Sequence, residues 1–303
     1  MSVNNIKNMG HSVNVRLKNL SQTNQIAFDY LLLRYAYERF LYRLGQSYHA
    51  HRFILKGASA FSVWFGPMFR VTRDTDLLCH GNPDPEYLMQ CFREICQLEV
   101  PDDGIRFDTN SMESSEIKKG AKYCGTRIMF NAWIQNARVS MQFDIGFGDS
   151  VYPEAEINEY PILLNDFQKP RILVYPYYTV IAEKYEAIVS LGMQNSRLKD
   201  YFDIWLLAES FSFDYNLLKQ AIQMTFERRD NKLPPSIPVG LTVEFFQDPI
   251  KQSQWKAFLK KVAPARKPQS LQMAVETIVD FLKPFILPSS IHFSQWFPDK
   301  GWQ

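Results

Sequence analysis

In this 303-residue chain, the residues best suited to chemistry are three aspartates and one small-residue turn. Asp74 and Asp76 lie two apart in RVTRDTDLLCHG, and on a strand that spacing points both carboxylates to one face. Like charges side by side are costly unless a cation neutralises them. A hard divalent ion such as Mg²⁺ takes carboxylate oxygens together with substrate phosphate oxygens. Upstream, Gly57-Ala58-Ser59 precedes a predicted helix, and such a turn leaves backbone N–H groups to meet phosphate. Downstream, Val139, Met141 and Phe143 alternate with Ser140, Gln142 and Asp144, which sets Asp144 on the polar face of a second strand. Three acids from two strands is the layout of a two-metal centre. There, carboxylates bridge the ions and one of them can take the proton of an attacking hydroxyl. Asp149 competes for the third place, but its GFGDS setting reads as a turn. A lone DxD more often marks a solvated strand face; the third acid favours chemistry.

Elements must exist to place these groups. Residues 24–45 read as one long amphipathic helix, with Ile26, Tyr30, Leu33, Tyr37, Leu41 and Leu44 at helical spacing and Gly45 as its stop. A strand at 52–56 leads through Gly57 into a helix at 58–66, broken by Gly66-Pro67. RVTRDTDLLCHG reads as a strand, 85–98 as a helix and the polar 101–120 as a loop. Segments 123–135 and 137–147 read as a hairpin turning at Asn136. Helices follow at 179–191, with Thr179 as a cap, and at RLKDYFDIWLLAESF, with Ser196 as a cap. Further helices are predicted at 214–229, 251–262 and 270–283, with the Pro-rich 230–240 as a loop. The expectation is an α+β chain, with a front lobe over 1–175 and a mainly helical lobe over 176–303.

Composition narrows the class. Hydrophobic residues make 46% and charged residues 22%, which excludes dominant disorder. No uninterrupted apolar run of about 18 residues exists, so no membrane span is expected. The polar start predicts no secretory leader. Cys79, Cys91, Cys96 and Cys124 form no CxxC pair, as suits a reducing cytoplasm. Net charge is +2, but residues 1–50 carry six Lys/Arg against two acids and residues 251–303 eight against three. Basic ends around an acidic middle suit a metal-holding centre flanked by surfaces that attract a polyanion; solvated helix faces explain the charge equally well.

The combination GAS…RDTD, QFDIGFGD and EKYEAIVSLG…SRLKDYFDIWLL resembles the AbiEii-type nucleotidyltransferase toxins, which include the MenT toxins, of the DNA-polymerase-β-like superfamily. The resemblance runs from about residue 12 to about 210 and includes RYAYERFLYRL and GDSVYPE. It implies a nucleotidyltransferase lobe, a mixed sheet with flanking helices, followed by a mainly helical lobe. It matches the family's turn to Gly57 and Ser59, its metal-binding acids to Asp74, Asp76 and Asp144, and its back-lobe lysine and acid to Lys184 and Asp200. Arg197 joins the expected nucleotide-binding set. Ala58 departs from the family's usual Gly-Ser or Gly-Gly turn, which puts the direction of Ser59 in question. Thr72 stands where some relatives carry a serine that a kinase antitoxin phosphorylates. The implied activity is Mg²⁺-dependent transfer of a nucleoside monophosphate from an NTP to RNA, at the 3′ end of tRNA, by a cytoplasmic toxin with a cognate antitoxin and no membrane partner.

Read from the residues alone, Lys184 between Glu183 and Glu186 is a surface lysine in charge contacts, or a cation over a triphosphate. Asp200 is a first-turn acid facing the helix dipole, or a site residue orienting Lys184 or the acceptor. Arg34 and Arg39 are candidates for RNA phosphates or for surface salt bridges. His80 reads as a loop histidine, and Cys91 and Cys96 as core thiols. Rival functions are a small-molecule, antibiotic-modifying nucleotidyltransferase and a catalytically silent binding module of the same fold.

Overall fold

The computed structural model describes residues 8–67, 69, 72–119, 123–262, 266–287 and 292–303, and it divides into two compact units. The first runs through Gly148 and takes in Glu156–Val174; the second is Asp149–Ala155 with Tyr175–Gln303. Arg70 and Val71, which open the expected RVTRDTD strand, and Lys7 of the basic front segment lie outside the described residues.

In chain order the first unit holds α1 (Met9–Asn24), α2 (Phe28–Gln46), β1 (Phe53–Lys56), α3 (Gly57–Phe65), β2 (Thr75–Cys79) and α4 (Pro85–Gln97). It continues with β3 (Ile105–Lys119), β4 (Tyr123–Ile134), β5 (Ala137–Phe147), β6 (Glu156–Glu159) and β7 (Arg171–Val174). The strands form one mixed sheet in the order β3-β4-β5-β2-β1-β7-β6. β2 runs parallel to β5 and β1 parallel to β7; the other neighbours are antiparallel.

The helix expected over 24–45 is α2, which begins at Phe28 rather than at residue 24, and a further helix, α1, precedes it. Gln25 adopts left-handed backbone (φ 54°) and ends α1, whose start is capped by the Asn8 side chain accepting from the His11 N–H. Gly45 is not a stop but lies inside α2. A Cβ there would sit 2.3 Å from the Arg171 carbonyl oxygen, so glycine lets α2 lie close on β7. The polar 101–120 segment is not a loop. From Ile105 to Lys119 it is β3, the edge of the β3-β4-β5 hairpin series, with a bulge between Asp108 and Glu113. An edge strand tolerates polar residues because much of it meets water, which hides it from hydrophobic periodicity. The hairpin at Gln135-Asn136 is present as expected, with Gln135 at φ 54°.

The core gathers on α2. Phe40 packs at a tilt against Phe143 and Phe92, with ring centres 4.4 and 5.0 Å away. Arg34, Arg39 and Arg43 are buried on the same helix, which corrects the reading of Arg34 and Arg39 as RNA contacts or surface pairs. Arg34 donates to Glu38 (3.0 Å), Ser62 (2.9 Å), Tyr160 and the Pro161 carbonyl. Arg39 donates to the Gln168 carbonyl (2.9 Å), and Arg43 grips Asp103 at 2.6 and 3.1 Å. Three of the six basic residues of the front segment are therefore internal. Replacing Arg43 by Met strands the buried Asp103 carboxylate. Stability is expected to fall by about 3–5 kcal/mol in urea denaturation, with most of it returning in the Arg43→Met/Asp103→Leu pair.

The second unit holds α5 (Tyr177–Leu191), α6 (Leu198–Ala208), β8 (Phe213–Asp214), α7 (Tyr215–Arg228), α8 (Val243–Gln247), α9 (Pro249–Val262), α10 (Leu271–Ile286), β9 (Gln295–Phe297) and β10 (Gly301–Trp302). It is mainly helical, with a small β10-β9-β8 sheet that the sequence reading did not anticipate. The expected caps differ as well. Pro176 and Arg197 take the N-cap positions of α5 and α6, and the Thr179 hydroxyl instead bridges the Tyr152 backbone. Cys79 and Cys91 are buried free thiols and Cys96 is half-buried, while the side chain of Cys124 lies outside the described residues. Among the described residues no helix is long and apolar enough to cross a membrane.

Candidate active site

Strand pairing lines up four charged residues across the first unit's sheet. Lys56 on β1 pairs with Asp76 on β2, Asp76 with Asp144 on β5, and Asp144 with Arg127 on β4. Residues directly opposite share a face, so the row reads cation, anion, anion, cation. Asp74 lies one residue ahead of β2. Its Oδ1 accepts a 2.8 Å hydrogen bond from the Thr72 hydroxyl.

The carriers of these acids are fixed to each other by Tyr37 of α2. Its hydroxyl lies 2.9 Å from the carbonyl oxygens of Arg73 and Gln142, to which it donates, and it accepts from the Gln142 N–H at 3.1 Å. One phenol thus joins the residue before Asp74 to the strand that bears Asp144. Burial, and then the nearby Asp74 and Asp144 charges, hold that phenol well above its ordinary pKa despite the opposing Gln142 bond, so it stays a neutral donor.

Gly57 brings the turn against Asp76. Its φ is +65°, and an added Cβ would lie 2.0 Å from Asp76 Oδ2. The carboxylate thus rests on the glycine that opens α3. Ser59 is buried with its hydroxyl 3.3 Å from that of Thr75, so it faces β2. Gly57 sits beside Asp76, and the Ser59 hydroxyl is turned inward.

Arg127 was not singled out in the sequence. Its Nε donates to Asp144 Oδ1 (2.8 Å) and its Nη2 to Oδ2 (2.9 Å), a two-point fork on a buried carboxylate. Gln142 Nε2 adds a 3.3 Å bond to the same Oδ1. The hydrogen bond to Asp144 holds the guanidinium above its ordinary pKa. The pull of Asp144, Asp74 and Asp76 adds to it against a smaller burial penalty, so all three acids act on this one cation. The donor chemistry suits a hard divalent ion. The arrangement does not yet suit one: among the described residues no three His, Cys, Asp or Glu side chains converge to hold a metal. Arg127 is the charge that neutralises Asp144 in this structure.

The second unit carries its own charged cluster. Lys184 of α5 lies 2.7 Å from Asp200 and 2.9 Å from Asp203, both buried on α6, and Arg197 lies 2.7 Å from Asp200. Lys184 is thus neither a surface lysine nor paired to its neighbours Glu183 and Glu186 in any bond seen here. Glu186 instead meets Arg229, Ser190 and Asn231. Asp203 was missed, although its place three residues after Asp200 on one helix face is a readable signal.

Burial alone would raise Asp200, but Lys184 and then Arg197 outweigh it and hold the carboxyl below its ordinary 3.8. Burial would lower Lys184, but Asp200 and Asp203 hold it above 10.5. The stability that Asp200 supplies is therefore complete above its unfolded value and lost as pH falls through the lower folded one. That of Lys184 is complete below its unfolded value and lost as pH rises through the higher folded one. In thermal melts, the gap between parent and Asp200→Asn is expected to be widest near neutrality and to close as the pH falls below the ordinary carboxylate range.

Two solved structures are similar to parts of this chain, JHP933 from Helicobacter pylori and a candidate nucleotidyltransferase from H. pylori. Each is 16% identical over 79% of this chain, covers 84% and 87% of its own chain respectively, and superposes with a TM-score of 0.46. No curated protein matches. The family model of the nucleotidyl transferase AbiEii toxin, type IV toxin–antitoxin system, matches residues 39–278, a span that holds the acid row, Arg127 and the Lys184 cluster alike. The chain belongs to the AbiEii nucleotidyl transferase toxin family.

Proposed function

We propose that this chain is a toxin that transfers a nucleoside monophosphate from an NTP to RNA, with the 3′ end of tRNA as acceptor, and so blocks translation. The observation that supports it best is the pairing of Asp76 with Asp144 on parallel neighbouring strands, with Asp74 at the mouth of the first, in a chain of a nucleotidyl transferase family. In the reaction the acceptor hydroxyl oxygen bonds to the α-phosphorus. The bond from that phosphorus to the bridging oxygen breaks, and pyrophosphate leaves with the electron pair. In this reading Asp144, once released by Arg127, takes the hydroxyl proton. The backbone at Gly57, where α3 begins, meets phosphate oxygens. Magnesium belongs to this proposal as the ion that would offset phosphate and carboxylate charge. Asp74 and Asp76 would be its donors, joined by Asp144 only after Arg127 lets go. Lys184, Arg197 and Asp200 enter as further residues of the nucleotide-handling machinery, tested by transfer in Lys184→Met. The family's type IV system implies a cognate antitoxin, and the cytoplasm is the expected setting.

The test is to sequence cellular RNA 3′ ends after induced expression. Extra nucleotides on tRNA ends are expected with the parent and not with Asp76→Asn. Growth arrest with unaltered RNA ends would point to a small-molecule acceptor and overturn the RNA reading.

A further inference from the structure

The mismatch between donor chemistry and donor arrangement has a local cause in Arg127. A carboxylate oxygen offers two lone pairs. Asp144 Oδ1 already accepts from Arg127 Nε and Gln142 Nε2, and Oδ2 accepts from Arg127 Nη2. A divalent cation at Asp144 would meet a guanidinium on both oxygens and repel it across a few ångströms. The two side chains differ in freedom. Asp144 is 7% exposed and held within β5, whereas Arg127 is 36% exposed and has solvent to move into. Asp74 and Asp76 also attract the guanidinium, so it stands as the common counter-charge of all three acids.

We infer that Arg127 is a built-in competitor of the metal: its fork engages both oxygens of Asp144 and closes that acid to a divalent ion, and ion loading requires the guanidinium to leave. This rests on the divalent-ion reading of the acid row proposed above. An arginine suits the role because its planar fork fills both oxygens at once, which a lysine ammonium cannot do. Once free, the same fork matches phosphate oxygens.

The test uses the full chain without nucleotide and Mn²⁺ as the probe, titrated by electron paramagnetic resonance, with thermal melts to confirm that each variant is folded. Arg127→Gln is expected to bind Mn²⁺ about tenfold more tightly than the parent, within the usual range of coupling between competing ligands, with Arg127→Lys between them. Asp144→Asn is expected to weaken Mn²⁺ in either background. Equal or weaker binding in Arg127→Gln, with Asp144→Asn still weakening it, overturns the competition and leaves the metal reading standing. No Mn²⁺ binding in any folded variant overturns both.

Discussion

Asp76→Asn is expected to lower nucleotidyl transfer by about 10²–10³-fold, the usual loss when one preorganised charge is removed from a reacting centre. The amide keeps the size of the carboxylate, so packing on Gly57 and the β2–β5 pairing survive and the melting temperature should move little. Transfer is read with labelled NTP and total RNA, and the same variant should relieve growth arrest. Full activity in Asp76→Asn would place the chemistry elsewhere.

Gly57→Ala is expected to damage both fold and activity. Left-handed backbone costs a residue with a Cβ about 1–2 kcal/mol. The new carbon would also stand 2.0 Å from Asp76 Oδ2 and 2.7 Å from its Cγ, so the carboxylate must leave its place. Gly66→Ala separates the two effects. Gly66 also has a positive φ, +91°, but among the described residues an added Cβ meets nothing within 4 Å. That variant should lose comparable stability in urea denaturation and keep its transfer rate, whereas Gly57→Ala should lose transfer as well. Equal transfer by both would mean that Gly57 serves the turn and not the acid.

Alternation along 137–147 made Asp144 legible before the fold was known, because strand geometry assigns its face; the DxD spacing was legible only in part, since Asp76 is on β2 but Asp74 lies one residue ahead of it. Partner choice was harder. That β2 pairs in parallel with β5 depends on distant chain, and no local pattern reports it. Arg127 was within reach: counting back from the two-residue turn at Gln135-Asn136 pairs it with Asp144, and following that register would have found it. The arginines of α2 misled because a charged residue on an amphipathic helix normally faces water. Here each finds internal acceptors, such as Glu38 and Asp103, supplied by packing rather than by sequence neighbourhood. Edge strand β3 and the β8–β10 sheet escaped because polar edges and two- or three-residue strands carry almost no periodic signal.

The most direct measurement incubates the purified chain with α-labelled NTPs, magnesium and total RNA, beside Asp76→Asn and Asp144→Asn. The account predicts covalent label in RNA from the parent, pyrophosphate released in equal amount, and neither from the two folded variants. Label appearing in RNA at the parent's rate with both carboxylates removed would contradict it.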